Sequence, residues 1–288
     1  MGRRRHRTGG KPSGLFLGAL IGSWALVAAG CGDERHRLQA PPLVVCSEAD
    51  APPPGSLRVV TYNIYYGSWS SFGEVGDVIE SLDPDVLALQ EVDRGVGRSG
   101  GVDQAAALAG RLGMQFAFGE AHPEENGQFG VAVLSRLPFA SAAVFGLDTD
   151  GQLSPRSALD VELCIGDRPL RVIAAHTDVM PYASDAQCRR LAARAATSLG
   201  RGTIVLGDLN NLPDWQGARA LVEAGLHDVV ARFAEGSTYQ ADAWARRLDH
   251  IMVDDPLSWG VEHVAIIESE ASDHKPVLAV FDPGHLAD

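Results

Sequence analysis

The chain has 288 residues, of which 45% are hydrophobic and 21% are charged, and its formal net charge is −13. This composition is that of an ordinary globular protein, and the length suits one large α/β domain or two small ones. No segment repeats with a period of roughly 20–50 residues, which argues against a solenoid or a propeller.

The N-terminus has the composition of an export signal. Five basic residues lie within the first 11 positions, and an uncharged apolar run over residues 15–30 follows them and ends just before Cys31. A basic head, a short apolar stretch and small residues before a cut site are typical of a secretory signal peptide, and the run is shorter than the ~20 residues of a spanning helix. Small residues followed by Gly30 and Cys31 resemble a bacterial lipoprotein box. We therefore expect residues 1–31 to be a lipoprotein signal peptide and lipidated Cys31 to attach an exported protein to a membrane of the bacterial cell envelope; an uncleaved single-pass anchor is the alternative.

Residues 32–56 have no periodic pattern and contain proline pairs and triplets, which favour extended backbone. They are interpreted as a Pro-rich tether, so the folded domain is expected to occupy residues 57–288. Without the leader the chain keeps 19 basic and 37 acidic residues. Such a surface repels polyanions, because sequence-independent DNA binding depends on basic neutralisation of phosphates. We expect a monomer.

Lipidation of Cys31 would leave Cys46, Cys164 and Cys188, so that at most one disulfide forms, which an exported protein allows, and one thiol is left over. Spacing does not choose among the pairs. The sequence has no C-x-x-C, which argues against a thiolate zinc site.

Within the domain, short β-rich runs alternate with amphipathic stretches. The predicted strands are residues 57–62, 86–89, 130–135, 140–145, 157–164, 170–175, 203–206, 251–253, 261–267 and 276–281. The predicted helices are residues 75–82, 108–112, 188–199 and 215–221. This is too rich in strands for a simple βαβ repeat, and two packed sheets with helices outside fit better.

Polar side chains fall at the ends of these strands. They would meet at one rim if the carboxyl ends of some strands and the starts of antiparallel ones share it, although any one alone is more often a turn residue or a cap. The residues in question are Asn63, Glu91, His176, Asp208, Asn210, Asp249, Asp273 and His274.

The oxygen-rich set suits a hard cation. Carboxylate and amide oxygens are ligands for Mg²⁺, which normally takes only one or two protein carboxylates, and soft ligands are absent from the set. Glu91 is the best single ligand candidate, with Asn63 and Asp273 as helpers. Mg²⁺ is the expected cofactor, with Mn²⁺ as the alternative.

The remaining polar residues suit hydrolysis of a phosphate ester, which needs a base for water and donors for the phosphoryl oxygens. Asp208 and Asn210 are two positions apart and project from the same side of an extended segment. Asp208 then takes the proton from water, and Asn210 positions the nucleophile or phosphate. His274, oriented by Asp249, and His176 are the donors.

These residues lie in segments that resemble the endonuclease/exonuclease/phosphatase superfamily, which includes deoxyribonuclease I, neutral sphingomyelinases and inositol polyphosphate 5-phosphatases. The matching segments, in family order, are residues 61–64, 89–92, 132–138, 175–177, 207–210, 248–251 and 272–274. The resemblance implies an α/β fold, a four-layer αββα sandwich of two mixed β-sheets flanked by helices.

The resemblance also implies residue roles: Glu91 and Asn63 at the metal, Asp208 as general base and Asn210 on the phosphate. Asp273 and Asp249 give support, and His176 and His274 stabilise the transition state. Arg156 resembles a common arginine at the start of a strand, for which we expect a surface salt bridge.

The rim loops set specificity on such a fold, so the resemblance carries over the chemistry and the loops have to indicate the substrate. Residues 95–102 and 120–128 are interpreted as short loops rich in glycine or acid, without a long basic insertion to hold duplex DNA. A small-molecule or lipid-headgroup phosphoester is therefore preferred. The alternatives are a metal-dependent endonuclease and a non-catalytic, lipid-anchored binding module on the same scaffold.

Two literal motif matches are set aside. Residues 95–100 spell G-x-G-x-x-G, but the preceding strand does not run directly into the first glycine, as a dinucleotide fold requires. Residues 97–101 spell the serine-hydrolase elbow without the flanking strand and helix that it needs. A flexible loop is the preferred interpretation.

Overall fold

The computed structural model describes residues 36–50, 55–241 and 246–286. The predicted signal peptide and Cys31 lie outside the described residues. The described part of the chain forms thirteen strands: β1 (Leu38–Gln39), β2 (Leu57–Asn63), β3 (Val86–Arg94), β4 (Gln115–Glu124), β5 (Gly127–Ser135), β6 (Phe139–Gly146), β7 (Ser157–Ile165), β8 (Arg168–His176), β9 (Thr203–Asp208), β10 (His227–Asp228), β11 (Asp249–Val253), β12 (Val261–Ile266) and β13 (Val277–Phe281).

The same residues form six α-helices, and in this part of the chain no helix is long and apolar enough to cross a membrane. The helices are α1 (Phe72–Leu82), α2 (Gln104–Leu112), α3 (Pro181–Ala195), α4 (Gln216–Glu223), α5 (Val229–Phe233) and α6 (Asp255–Trp259). Helix α1 illustrates how residues at the two ends of a helix set its limits. The Ser71 hydroxyl accepts the backbone N–H of Glu74 at its start, and Asp83 ends it in the left-handed conformation before Pro84.

The strands form two mixed sheets. One has the order β1-β4-β5-β3-β2-β13-β12 and the other the order β10-β11-β9-β8-β7-β6. In each sheet one central pair is parallel, β2 with β3 and β8 with β9, and the other pairs are antiparallel.

Three apolar clusters hold four layers together. The central cluster joins the facing sides of the two sheets, with Val59 and Ala88 from one and Val161 and Leu206 from the other. A second cluster seats α1 and α2 on the first sheet, and a third seats α3 and α4 on the second sheet. Strands buried on both faces appear in the sequence as continuous apolar runs. The predicted αββα sandwich of two mixed sheets is confirmed.

The structure corrects the predicted tether. His36 is buried, and Leu38 and Gln39 pair with Gly119 and Phe118 as the edge strand β1. Cys46 forms a disulfide with Cys164, and Cys188 remains a buried thiol. Residues 36–50 therefore belong to the folded domain. A two-residue strand carries no periodic signal, so the sequence pattern did not reveal it.

Strand β4 and its hairpin with β5 also differ from the prediction. Residues 120–124 belong to β4 and are not a loop. Gly119 and Ala117 lie on the side of β4 that contacts the second sheet, where Val144 and Leu159 fill the space above Gly119. The strand has few large apolar residues for this reason, and its sequence lacks the apolar alternation of its neighbours.

Candidate active site

The sheet register brings the strand-end residues together. His176 ends β8 and lies opposite Asp208, which ends the parallel strand β9. Asp208 is in turn the antiparallel partner of Asp249, the first residue of β11. Asn63 ends β2 in the facing sheet and donates a hydrogen bond to Asp208, so both sheets contribute to one cluster.

Glu91 enters the cluster through an irregular strand. The pairing of β3 with β5 shifts register between Leu89 and Val92, and Glu91 adopts a left-handed φ of 57°. A non-glycine residue in this conformation costs about 1–3 kcal/mol and is retained where the surrounding structure requires it. The bulge turns the Glu91 carboxylate toward Asn63, whose amide nitrogen donates to Oε1 at 3.1 Å.

Asp208 is the centre of the cluster. Its Oδ2 accepts the Asn63 amide at 3.0 Å and lies 3.5 Å from Nε2 of both His176 and His274. Its Oδ1 accepts the backbone N–H of Asn210 at 3.0 Å. The carboxylate is nearly fully buried and surrounded by donors from four segments of the chain.

Asn210 is held beside this carboxylate by its own backbone. It has a left-handed φ of 43°, and its amide nitrogen donates to the carbonyl of Thr177 at 3.1 Å. The side chain lines the main cavity, next to Asp208.

Neighbouring carboxylates keep the imidazole of His274 protonated. Its Nδ1–H donates to Asp249 Oδ2 at 2.7 Å, and the ring of Tyr239 meets it edge-on. Burial alone would lower the pKa of His274, but the charges of Asp249 and Asp208 outweigh burial and raise that pKa to about 10. His274 is therefore an imidazolium that directs its Nε2 proton toward Asp208.

His176 is neutral and is oriented by Arg156. Burial and the adjacent Arg156 charge hold the pKa of His176 well below its ordinary value. Arg156 Nη1 donates to His176 Nδ1 at 3.1 Å, and a guanidinium can only donate. The remaining proton of His176 therefore sits on Nε2, which faces Asp208 and Glu91.

Arg156 corrects a prediction. It is 8% exposed, and its closest carboxylate is Asp178, at 4.0 Å, which is itself buried. It is thus part of the site and does not form the expected surface salt bridge. Within the described chain its Nε is buried without a hydrogen-bond partner.

The acidic residues of the site fit a divalent cation. Burial, with the charges of Asp273 and Asp208, raises the pKa of Glu91 to about 7. Burial also raises the pKa of Asp208 to about 6, and that of Asp273 above its ordinary value. Crowded, desolvated carboxylates on one cavity wall are the charge distribution that a cation relieves, and all are hard oxygen donors.

The placement of a cation has two geometric options. Ligand atoms of Asp208, Asp249 and His274 lie within 4.8 Å of one another, close enough to share an ion. However, Asp249 and His274 are already hydrogen-bonded to each other, and an imidazole is not a hard oxygen ligand. Glu91 and Asp273, which also line the cavity, offer only oxygen ligands, the kind that Mg²⁺ prefers.

Asn63 does not point its oxygen at the carboxylates. Its amide nitrogen donates to Glu91 and Asp208, while its Oδ1 accepts the backbone N–H of Tyr65 at 3.1 Å. It would ligate a cation only after its amide rotated by half a turn. In the present arrangement it bridges two carboxylates as a donor.

The side chains line a cavity of about 230 Å³. The residues on its wall are Glu91, Arg156, His176, Val179, Asp208, Asn210, Leu212, Trp215, Tyr239, Arg246, Leu248, Asp273 and His274. A second cavity of about 190 Å³ has Glu91 and Arg156 in common with the first.

Residues 60–274 match the Endonuclease/Exonuclease/phosphatase family. The chain belongs to this family. Its members are hydrolases that act on phosphate esters. No curated protein matches the sequence.

Solved structures of the same fold cover most of the chain. An endonuclease/exonuclease/phosphatase from Beutenbergia cavernae DSM 12333 is 24% identical with a TM-score of 0.64, over 78% of this chain and 71% of that one. The mannosyl-6-phosphatase of Bacteroides thetaiotaomicron VPI-5482 is 19% identical with a TM-score of 0.62, over 79% and 100%. An AP endonuclease from Archaeoglobus fulgidus is 20% identical with a TM-score of 0.60, over 78% and 99%. At these identities the likeness concerns the fold.

All eight predicted site residues lie in or next to the main cavity, and sequence reasoning missed several others. Tyr239, Arg246 and Trp215 line it without having been singled out. Tyr239 forms an isolated β-bridge with His274, and no local sequence pattern predicts this contact. The loop expected at residues 95–102 is an ordered turn in which Arg98 makes two hydrogen bonds to the buried Asp93.

Proposed function

We propose that this protein hydrolyses phosphate esters with a divalent cation, by attack of water on phosphorus. The observation that carries the proposal is the environment of Asp208. One buried carboxylate lies within 3.5 Å of Asn63, His176 and His274 at the wall of a cavity. A base, an imidazolium and a neutral imidazole donor in one small volume meet the requirements of phosphoryl transfer to water.

Each side chain takes one role. Asp208, with a pKa of about 6, is ionised at neutral pH and removes a proton from the attacking water. Asn210 holds the phosphoryl group or the water, and the protons on Nε2 of His274 and His176 stabilise the charge that develops on the phosphoryl oxygens. Glu91 and Asp273 would hold a cation, Mg²⁺ or alternatively Mn²⁺, which would supply further neutralisation of that charge.

The substrate that we propose is a small-molecule or lipid-headgroup phosphoester. A net charge of −13 disfavours long polyanions, and the main cavity of about 230 Å³ is smaller than the roughly 300–1,000 Å³ of pockets for drug-sized ligands. The mannosyl-6-phosphatase and the AP endonuclease both share their fold with this chain. The fold alone therefore does not decide between small esters and nucleic acid as substrates.

The test is hydrolysis of p-nitrophenyl phosphate and bis-p-nitrophenyl phosphate with Mg²⁺. We expect turnover that a chelator abolishes and that Asp208→Asn lowers about 10²–10⁴-fold, the usual contribution of a general base. Asp214→Asn is the matched control, because Asp214 is an exposed carboxylate next to the cavity residue Trp215. No turnover of any ester would favour the binding module, and faster cleavage of plasmid DNA than of small and lipid esters would favour the nuclease.

We propose further that the protein is exported, lipidated at Cys31 and monomeric. The leader sequence supports export, and so does the Cys46–Cys164 disulfide, because such bonds persist in oxidising compartments. Labelled palmitate should be incorporated in a bacterial host by the wild type and not by Cys31→Ala. Equal labelling of both would refute the anchor, and a dimer mass in solution would refute the monomer.

A further inference from the structure

The second cavity, here the side cavity, opens beside the catalytic cluster. Its walls are formed by Tyr66, Glu91, Arg98, His122, Glu124, Phe129, Ser154 and Arg156. Only Glu91 and Arg156 also line the main cavity. A group joined to a phosphoryl group in the main cavity would therefore extend directly into the side cavity.

The side cavity is poorly suited to a second phosphate. Of the two arginines on its walls, Arg156 donates to His176 Nδ1. Arg98 makes both of its guanidinium hydrogen bonds to the buried Asp93, at 2.8 and 2.9 Å, and Glu124 lies 3.3 Å from it. Its charge is thus already compensated. The carboxylate of Glu124 on the same wall would repel an anion.

The aromatic rings of the side cavity already have stacking partners. Tyr65 stacks on Tyr66 at 4.7 Å, and the Arg98 guanidinium lies 4.0 Å from the centre of the Tyr66 ring. His122 stacks on Phe129 at 5.0 Å. The rings therefore offer no open face of Tyr66 to a flat base, and the resident guanidinium takes the place that a cationic headgroup would need.

Hydrogen-bonding edges remain available. Glu124 and Arg98 keep about 30% of their side chains exposed, and Ser154 and His122 add groups that can donate or accept. The cavity wall offers both hydrogen-bond donors and acceptors, and its positive and negative side chains compensate each other. Such a wall is complementary to vicinal hydroxyl groups, which donate and accept but carry no charge. The volume of about 190 Å³ lies below the roughly 300–1,000 Å³ of pockets for drug-sized ligands and suits a single ring.

We propose that the side cavity binds an uncharged, polyhydroxylated six-membered ring, a monosaccharide or a cyclitol, as the alcohol part of the phosphoester. This inference rests on the proposed function for the placement of the phosphoryl group. Recognition of the ring itself depends only on the side cavity. The two statements can therefore fail separately.

Binding of the free alcohol tests the cavity without catalysis. Saturation-transfer NMR with the full protein and Mg²⁺ should show contact with D-mannose, D-glucose or myo-inositol at millimolar concentration, and weaker contact with glycerol, choline and adenosine. Glu124→Gln and His122→Ala should each reduce the ring signal. Glu125→Gln is the matched control: this exposed neighbour lies outside the cavity wall, and glutamine keeps the acceptor for the Gly97 N–H. Absence of ring binding, or stronger binding of choline or adenosine, overturns the proposal.

Kinetics tests whether the ring and the phosphoryl group belong to one substrate. The ratio of kcat/KM for hexose 6-phosphates or inositol monophosphates to that for glycerol 3-phosphate should exceed one in the wild type. Glu124→Gln keeps an acceptor but removes its charge, and the weaker hydrogen bond should lower this ratio about fivefold. His122→Ala should lower it too, and Glu125→Gln should leave it unchanged. A ratio that none of these variants moves overturns the proposal; ring binding without hydrolysis of any ester refutes the proposed function alone.

Discussion

Asp249 Oδ2 lies 2.7 Å from His274 Nδ1, and this bond directs the other ring nitrogen of His274 toward Asp208. The two residues are 25 positions apart and are joined through β11 and the segment before β13. In the proposed mechanism, Asp249 acts through His274, by keeping it protonated and oriented.

Asp249→Asn is expected to lower kcat at least about 100-fold, because the amide neither balances the imidazolium charge nor fixes the ring. The measurement is turnover of p-nitrophenyl phosphate, with the circular dichroism spectrum as a check of folding. Asp255→Asn is the matched control, since Asp255 makes a similar bond to His227 at the exposed surface, at 2.6 Å. A kcat within threefold of that of the wild type would show that Asp249 has no role in catalysis.

Arg156→Met should lower kcat/KM by about 10–100-fold, because loss of the donor to Nδ1 lets the proton of His176 move away from Nε2. Arg156→Lys should recover part of this loss, as a lysine donates only one of the several bonds of a guanidinium. Arg136→Met, which removes a surface arginine paired with Asp83 and Asp85, is the control. An Arg156→Met enzyme with full activity and lower thermal stability would mean that Arg156 is only structural.

The buried pair of His250 and Asp228 makes stability depend on pH. Burial alone would lower the pKa of His250, but the charge and hydrogen bond of Asp228 raise it above 6.5. Burial alone would raise the pKa of Asp228, but His250 lowers it below 3.8. The contribution of His250 is therefore full below pH 6.5 and is lost as pH rises through its folded pKa. That of Asp228 is full above pH 3.8 and is lost as pH falls through its folded pKa.

Asp228→Asn should accordingly lower the free energy of unfolding most between pH 4 and 6.5, by about 3–5 kcal/mol, and clearly less at pH 9. Asparagine keeps the cap on α5, where Oδ1 of residue 228 accepts the Ala231 N–H. Urea unfolding at pH 5.5 and pH 9 measures the difference. Asp103→Asn removes a carboxylate from the cap of α2 that pairs with Arg94, and its effect should be equal at both values. An equal effect of Asp228→Asn would contradict the linkage.

The disulfide attaches residues 36–50 to the second sheet, and its removal should matter for stability. The bridge closes a span of 118 residues, so Cys46→Ser should lower the free energy of unfolding by about 2–5 kcal/mol. Dithiothreitol should destabilise the wild type by a similar amount and leave Cys46→Ser unchanged. A variant as stable as the wild type would show that β1 and the neighbouring segment are held by packing alone.

Local sequence information specified much of the fold and of the catalytic cluster. The buried strands appear as continuous apolar runs, and Glu91, Asp208 and His274 stand beside such runs, where a sheet edge gathers them. The choice of Cys46 as partner of Cys164 depends on where β1 docks, which is a tertiary contact.

The orientation of Arg156 and the side cavity could not be predicted from the sequence, because both depend on contacts between distant segments. Arg156 points into the protein, where it contacts Asp178 and donates a hydrogen bond to His176. The sequence pattern of an arginine before a strand is the same whether the side chain is buried or exposed to solvent. The side cavity combines residues from four separated segments, represented by Tyr66, Arg98, His122 and Ser154. No spacing along the chain connects them, so only the folded sheet edges reveal the cavity.

Glu91 is expected to stabilise the metal-bound protein and to destabilise the metal-free one. Its pKa of about 7 shows that burial and the charges of Asp273 and Asp208 oppose its ionisation when no cation is present. Glu91→Gln removes one of the crowded charges, and at pH 8 without metal it should raise Tm by about 2–4 °C, the shift that ~1 kcal/mol gives in a domain of this size.

Addition of 10 mM Mg²⁺ should then raise the Tm of the wild type, because ligands that bind only the folded state stabilise it, and should have little effect on Glu91→Gln. Turnover of the variant should fall at least about 100-fold and should not recover with more Mg²⁺, since the remaining carboxylates leave the cation poorly held. Glu120→Gln is the control, a buried glutamate of β4 that lies outside the main cavity wall. Equal Mg²⁺ shifts in wild type and Glu91→Gln would place the cation elsewhere, and the group formed by Asp208, Asp249 and His274 would then be the site to test.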